Sequence, residues 1–228
     1  MEIKFHGQSC FEFSEGGATV LTDPFLKPNN PVAVATAEEV EPTVIAISHG
    51  HVDHIADAVA VATRTGAHCV GLTELAGWLG GQGVENVSDP NFGGTVSFDW
   101  GWIKMVPAWH TAVSPSGTAH MPAGLLIHYG GHLIYHLGDT ALFSDLQLIG
   151  RRGDKVDLAL VPIGGHYTMD RYDAVTAVEF VNPAQVIPIH YDTFPLVATD
   201  AEAFKQDVEN AGFSQVYVLN PGDTHELK

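Results

Sequence analysis

Cysteine is scarce in this chain, which has only Cys10 and Cys69 among its 228 residues. The two are far apart and form no Cys-x-x-Cys spacing, so we expect neither a disulfide framework nor a thiolate metal site. Both lie in apolar surroundings, which predicts buried free thiols without a catalytic role.

Long apolar runs are missing as well. No segment approaches the roughly 20 apolar residues that a membrane-spanning helix needs. Residues 1–5 begin like a strand and not like a signal peptide. These absences predict a cytoplasmic protein that is not bound to a membrane.

Basic residues are few, with 10 Lys and Arg against 27 Asp and Glu and a formal net charge of −17. Such a charge repels phosphate backbones and anionic lipid at long range. Neither nucleic acid nor a membrane surface is therefore an expected partner, and a small-molecule substrate is. The length predicts one domain over residues 1–228, and a homo-oligomer stays open.

Apolar periodicity and turn residues predict alternating strands and helices. The predicted strands are residues 3–6, 10–13, 18–22, 43–47, 68–71, 96–98, 102–106, 125–129, 132–137, 157–163, 185–190 and 216–219. The predicted helices are residues 55–64, 74–79, 142–149, 173–181 and 201–210, the last with Asp200 as its cap. The loop 111–122 is long enough to form a lid or a substrate wall, and its His120 is expected to be a solvated loop residue or a substrate contact.

The most informative stretch is residues 48–54, between an apolar strand and a helix. It contains four side chains that bind metals well: His49, His51, Asp53 and His54. A turn would direct the first two one way and the last two the other, and each pair then needs further ligands from elsewhere. The alternative is a polar loop in which Asp53 caps the helix, but three histidines in six residues exceed what a cap needs.

Further candidate ligands lie at the ends of other strands. His110 and His190 each follow an apolar strand, and Asp139 follows another between Gly138 and Thr140. We expect Gly138 to let the backbone and a metal come close. Two more strand-end residues, Asp23 and His6, are candidates for supporting the ligands, although Asp23 fits an ordinary turn equally well.

The motifs together resemble the metallo-β-lactamase-fold hydrolases. The order Asp23, residues 49–54, His110, Asp139 and His190 is that of the superfamily. Residues 138–140, 164–169 and 188–195 resemble uncharacterised hydrolases related to the ascorbate-6-phosphate lactonase. The resemblance implies an α/β (α+β) fold, a four-layer αββα sandwich. One departure is Gln8, where these relatives commonly carry a histidine, so the role of that motif stays open.

The resemblance also implies a dinuclear centre. Its first ion would be bound by His49, His51 and His110 and its second by Asp53, His54 and His190, with Asp139 as the bridge. Zinc is the default for so histidine-rich a site, and Mn²⁺, Fe²⁺ and Ni²⁺ are alternatives. A hydroxide bridging the ions would attack a small, anionic substrate at a lactone or phosphoester bond.

The remaining role assignments concern the substrate. We predict catalytic roles for Asp53, at the metals, and for His166, as proton donor to the leaving group or as substrate contact. Thr111 and Tyr191 adjoin ligands and are candidates for substrate binding.

Two other functions stay open. One is a phosphodiesterase acting on lipid or cyclic nucleotide substrates, with an apolar channel formed by Trp100, Trp102 and Trp109. The other is a non-catalytic metal-binding sensor, which the complete ligand set disfavours.

Overall fold

The computed structural model describes residues 1–149 and 155–228, and that part of the chain contains sixteen strands and five α-helices. In chain order the strands are β1 (Glu2–Gly7), β2 (Cys10–Glu15), β3 (Ala18–Thr22), β4 (Val44–Ala46), β5 (His68–Val70), β6 (Val87–Ser88), β7 (Thr95–Phe98), β8 (Gly101–Pro107), β9 (Ala112–Val113), β10 (Ala119–His120), β11 (Ala123–Tyr129), β12 (His132–His136), β13 (Leu158–Pro162), β14 (Gln185–Ile189), β15 (Gln215–Val216) and β16 (Thr224–Glu226). The helices are α1 (Val52–Ile55), α2 (Ala58–Thr65), α3 (Thr73–Gly81), α4 (Arg171–Val181) and α5 (Ala201–Asn210), with 3-10 helices at Ser144–Leu148 and Pro195–Val197.

The strands form two mixed sheets and one short ribbon. The first sheet has the order β16-β1-β2-β3-β4-β5-β6, the second has the order β15-β14-β13-β12-β11-β8-β7, and β9 pairs with β10. β3 runs parallel to β4, and β12, β13 and β14 run parallel to one another. β8 runs antiparallel to β11, which is antiparallel to β12, so β8 and β12 share one direction. The carboxyl ends of β8, β12 and β14 therefore meet at the same edge.

Strand alternation builds three apolar layers from this arrangement. In β13, Leu158 and Leu160 face the core between the two sheets, whereas Ala159 and Val161 face the helices. In β2, Phe11 and Phe13 join the core between the sheets. Successive side chains point to opposite faces of a strand, and a sheet covered on both faces needs apolar residues at both kinds of position.

Helices cover the outer face of each sheet. α2 and α3 contribute buried residues to the core on the outside of the first sheet, and α4 and α5 contribute to the core on the outside of the second. The layers are helix, sheet, sheet and helix, so the predicted αββα sandwich is confirmed. No helix in the described ranges combines the length and the apolar character that crossing a bilayer requires.

Two segments agree closely with the sequence patterns. The strand predicted at 18–22 and the helix predicted at 201–210 are present with those bounds, and the Asp200 side chain accepts from the Ala203 N–H at 2.9 Å. Strong periodicity with a clear turn or cap at each end explains the agreement.

The single helix predicted at 55–64 is instead two helices, α1 and α2. The Asp57 carboxylate lies between them and accepts from the Leu26 N–H at 2.6 Å and from Asn29 Nδ2 at 2.9 Å. The side chain makes no hydrogen bond to the helix that follows. Asp53 and His54 consequently lie in a short helix of their own and not in a turn.

Other boundaries also differ. The segment predicted as a helix at 142–149 is a 3-10 helix over Ser144–Leu148 only. The last predicted strand, 216–219, is shortened to Gln215–Val216, and β16 follows it on the other sheet. β16 has the sequence Thr-His-Glu, which carries no apolar alternation, and it is a strand because it pairs with β1.

Candidate metal centre

The candidate ligands lie where strands of both sheets end. Residues 49–54 follow β4 of the first sheet, and His110, Asp139 and His190 follow β8, β12 and β14 of the second. Because those three strands run in one direction, their carboxyl-end residues project toward the loop after β4. The fold thus brings the seven candidate ligands together from four separate parts of the sequence.

The ligand atoms form three overlapping groups, and the atoms within each group all lie within 4.8 Å of one another. The groups are His49, His51 and His110; His49, His54 and Asp139; and Asp53, His54 and His190. The first and third are the two three-residue sets that the resemblance implies. The middle group shares His49 with the first and His54 with the third, and it adds Asp139.

Asp139 lies between the two sets. Its Oδ2 is 3.6 Å from His110 Nε2 and 3.1 Å from His190 Nε2, and its Oδ1 is 3.3 Å from His54 Nε2. The preceding Gly138 has φ 65°, and a Cβ there would lie 2.5 Å from the Ala123 carbonyl oxygen. The close approach of the strand that contains Ala123 therefore requires glycine at this position.

Several polar atoms at this centre make no hydrogen bond of good geometry, although carboxylate and imidazole atoms lie as close as 3.1 Å and 3.3 Å. His54 Nε2, Asp139 Oδ1 and both ring nitrogens of His190 are buried without a hydrogen bond from any described residue. Leaving such atoms unpaired costs about 1–3 kcal/mol each. Five imidazoles and two carboxylates are donors that zinc and similar divalent ions accept. The unpaired atoms and the donor set both fit metal ions at this centre.

Asp23 supports the ligands from beneath. It is fully buried, accepts from Ser48 N at 2.7 Å and from Ser48 Oγ at 2.6 Å, and lies 2.8 Å from His54 Nδ1. Ser48 Oγ is in turn 3.0 Å from His49 Nδ1. Both imidazoles are held at Nδ1, which leaves Nε2 directed to the centre.

Gln8 is a contact that the sequence left open. Its side-chain Nε2 donates to Asp53 Oδ2 at 2.9 Å, and its backbone carbonyl oxygen accepts from the backbone N–H of His190 at 3.0 Å. Gln8, Asp23 and His190 all have positive φ, at 57°, 40° and 55°. Left-handed backbone at residues other than glycine is uncommon and concentrates at functional sites.

His6 is placed elsewhere. It is buried, with its Nε2 3.6 Å from Glu12 Oε2 of the adjacent strand. Ile3 and Phe5 face the core between the sheets, and a register irregularity follows between Phe5 and Gly7. His6 therefore contacts Glu12 and does not support the ligands as the sequence led us to expect.

A cavity of about 450 Å³ opens over the centre. Its walls are formed by Phe25, His51, Val52, Asp53, His110, Thr111, Asp139, Tyr167, His190, Phe194 and Leu196. Thr111 thus lines the cavity, as expected of a substrate-binding residue.

The ribbon β9–β10 borders the ligand loop, and its half-buried His120 accepts from the Gly50 N–H through Nε2 at 3.0 Å. His120 is a structural contact and not a solvated residue.

His166 and Tyr191, which were expected to contact the substrate, are not among the described residues that line the cavity. His166 is exposed at a left-handed turn (φ 52°), with its ring against that of Tyr167 at 4.5 Å, and Tyr167 lines the cavity in its place. Tyr191 packs against the helix-covered core of the second sheet, and burial raises the pKa of its hydroxyl to about 12.

The proposed tryptophan channel is also absent from the described wall. Trp100 packs on the core between the sheets and Trp102 on the opposite face of the same sheet, while Trp109 is 67% exposed. The sheet separates Trp100 from Trp102, so the three rings do not form one surface. The apolar part of the cavity is supplied by Phe25, Phe194 and Leu196, which the sequence analysis missed. Their only signal was their position a few residues after strand-end residues.

Burial and charge divide the histidines into two classes. Burial lowers the pKa of His49, His51 and His110. Burial acts in the same direction on His54, but the carboxylates of Asp139, Asp53 and Asp23 outweigh it and raise the pKa of His54 well above its usual value.

The pKa values of His190, Asp53 and Asp139 are also set by burial and by neighbouring charges acting in opposite directions. Burial opposes the charge on His190, yet Asp139 and Asp53 raise the pKa of His190 to about 9. Burial likewise opposes ionisation of the carboxyls, and the neighbouring imidazoles of His54 and His190 hold the pKa of Asp53 and of Asp139 below the usual range. Without metal, protonated imidazoles would balance these buried carboxylates.

These shifts predict proton release on metal loading. At pH 7 His54 and His190 should be protonated in the metal-free protein, because their pKa values are raised, and each must lose its proton to coordinate an ion. The other three ligand histidines, with lowered pKa values, are already neutral. We expect these two imidazoles together to release about two protons when metal binds at this centre, in addition to any proton lost by a metal-bound water. Titration calorimetry in two buffers of different protonation enthalpy measures this number, and equal heats in both buffers would contradict the prediction.

Comparison with known proteins agrees with the fold and the centre. The model of the "Beta-lactamase superfamily domain" matches residues 2–190. The UPF0173 metal-dependent hydrolase of Thermus thermophilus is 42% identical over 228 residues, covering 100% of this chain and 99% of that protein. The corresponding protein of Shouchella clausii is 42% identical over 233 residues, covering 100% of each. Igni18, a metallo hydrolase from Ignicoccus hospitalis with a solved structure, has a TM-score of 0.89 at 36% identity, covering 100% of this chain and 99% of that one.

The fold and the histidine-rich centre define a metal-dependent hydrolase of the metallo-β-lactamase type. Within that superfamily the chain belongs to the UPF0173 metal-dependent hydrolases.

Proposed function

We propose that this hydrolase is dinuclear and cleaves a lactone or phosphoester bond in a small molecule. The observation that carries the proposal is a pair of three-residue ligand groups joined by a third group, which contains Asp139 and shares His49 with one and His54 with the other. His49, His51 and His110 would bind one ion, and the group that contains Asp53 and His54 would bind the other. Asp53 and Asp139 supply the negative charge that allows two dications to lie close together.

Bound ions would lower the pKa of a water molecule held between them and would polarise the oxygen of the bond to be cleaved. The protein's own groups then position the substrate. Thr111 and Tyr167 line the cavity beside the ligands, where their hydroxyls can donate to a substrate oxygen. Because His166 is exposed outside the described wall, we assign the contact with the leaving group to Tyr167.

The test combines metal counting with an activity panel. Protein reloaded separately with zinc and with manganese is expected to hold two ions per chain and, in a panel of lactones, phosphodiesters and thioesters, to turn over one of the first two classes. The His110→Ala variant should lose one ion and most of its activity. His132→Ala, at a hairpin turn outside the cavity, is the matched control and should keep both.

Two results would reject the proposal. Binding of a single ion would exclude the dinuclear centre. Two bound ions without turnover of any panel member would favour a non-catalytic metal-binding protein.

A further inference from the structure

The cavity wall beyond the metal ligands and Thr111 is apolar or aromatic. It consists of Phe25, Val52, Tyr167, Phe194 and Leu196, with the Phe25 and Phe194 ring centroids 6.3 Å apart. Three of these side chains are more than half exposed: Val52 at 69%, Tyr167 at 51% and Leu196 at 57%. Large apolar side chains exposed together next to polar groups mark a surface that another molecule covers.

The wall also lacks positive charge. No Lys or Arg is among the described residues that line the cavity, and the chain as a whole carries a net charge of −17. A carboxylate or phosphate on the distal part of a substrate would find no ion-pair partner on this wall and would lose hydration against apolar side chains. The only positive charge facing the cavity would then be that of the metal ions bound at the centre beneath it, where the bond to be cleaved must lie.

The same loops carry the ligands and the wall. Val52 lies between two ligands, His51 and Asp53, while Phe194 and Leu196 follow the ligand His190 in one loop. A substituent adjacent to the scissile bond therefore reaches the apolar wall as soon as that bond reaches the centre. The cavity volume of about 450 Å³ lies within the range of small-molecule sites.

We propose that the substrate carries an uncharged apolar substituent, an alkyl chain or an aromatic ring, next to the bond that is cleaved. This substituent packs on Phe25, Phe194 and Leu196, with Val52 and Tyr167 at the rim. The inference rests on the proposed dinuclear hydrolase and revises the anionic substrate that the sequence led us to expect. Any negative charge on the substrate is confined to the group that faces the metal ions.

The test uses three phosphonates that share one metal-binding head. Methylphosphonate, hexylphosphonate and 5-carboxypentylphosphonate are titrated into the zinc-loaded protein by calorimetry, which measures affinity independently of turnover. Each buried methylene is worth about a fourfold gain in affinity. Hexylphosphonate should therefore bind at least tenfold more tightly than methylphosphonate, and the terminal carboxylate should remove that gain.

Variants locate the effect on the wall. Leu196→Ala should reduce the preference for hexyl over methyl about fivefold or more. Leu196→Lys should reverse the order of the hexyl and carboxypentyl compounds. Leu148→Ala is the matched control, because Leu148 also lies in a 3-10 helix, is 60% exposed and lines a different cavity. It should leave all three affinities unchanged.

The outcomes separate this inference from the proposed function. Equal binding of the three phosphonates would overturn the apolar substituent and leave the metal centre standing. Failure of even methylphosphonate to bind the loaded protein would count against the centre itself. A Leu196→Ala variant that changes from dimer to monomer while keeping the hexyl preference would make the wall a subunit interface, and the inference would be wrong.

Discussion

Replacement of Asp139 by Asn is expected to abolish hydrolysis and to leave at most one tightly bound ion. Asp139 is 2% exposed and lies within 3.6 Å of His54, His110 and His190. Asn keeps the shape of the side chain but removes the charge that offsets two dications. Loss of several kcal/mol of transition-state stabilisation corresponds to a rate decrease on the order of a thousandfold. Metal analysis and steady-state kinetics on the same preparation check both parts.

The control for this variant is Asp99→Asn. Asp99 is exposed in the turn between β7 and β8, outside the cavity. It should retain both ions and full activity. An Asp139→Asn protein that still held two ions with unchanged affinity would show that Asp139 does not bridge them.

A second large effect is expected at Asp23, which is fully buried behind the ligands. Asp23→Asn cannot satisfy Ser48 N, Ser48 Oγ and His54 Nδ1 together, because the amide nitrogen is a donor. We expect the free energy of unfolding to fall by about 1–3 kcal/mol. Affinity for the ion bound by His54 should fall by about 10–100-fold. Denaturant unfolding of the metal-free protein and calorimetric metal titration measure the two effects separately.

Asp157→Asn is the matched control for Asp23. Asp157 also accepts a backbone hydrogen bond, from Leu133 N at 2.8 Å, and also has an imidazole nearby, that of His132 at 3.8 Å, but it lies outside the metal centre. Its substitution should leave metal affinity unchanged. If Asp23→Asn lowered stability without changing metal affinity, Asp23 would serve folding alone.

The layers of this fold could be predicted because local sequence patterns indicate the strands and helices that form them. The continuous apolar run of β13 and the cap at Asp200 define their elements without information from distant residues. β16 could not be predicted, since three polar residues become a strand only when β1 supplies their hydrogen bonds. The break between α1 and α2 likewise depends on the contact of Asp57 with a loop some thirty residues earlier in the chain.

In the candidate site, too, the residues with a local sequence signal could be predicted and those that depend on distant contacts could not. Its ligands were identifiable because histidine and aspartate at strand ends are unusual in composition and position. Gln8 was not, because its bond to Asp53 spans 45 positions and depends on a left-handed backbone. Tyr167 and His166 are adjacent, and only the turn geometry decides which of the two reaches the cavity.

The origin of the ligands in two sheets has a consequence for the stability of the protein. Residues 49–54 lie in the loop and short helix that follow β4 of the first sheet, whereas His110, Asp139 and His190 follow strands of the second. Ions bound there would cross-link the two halves of the sandwich, which otherwise hold together across an apolar core. Folding would then be coupled to metal supply by mass action. Chelation would weaken the alignment of the sheets as well as remove the chemistry, so thermal resistance and catalysis would depend on the same ions.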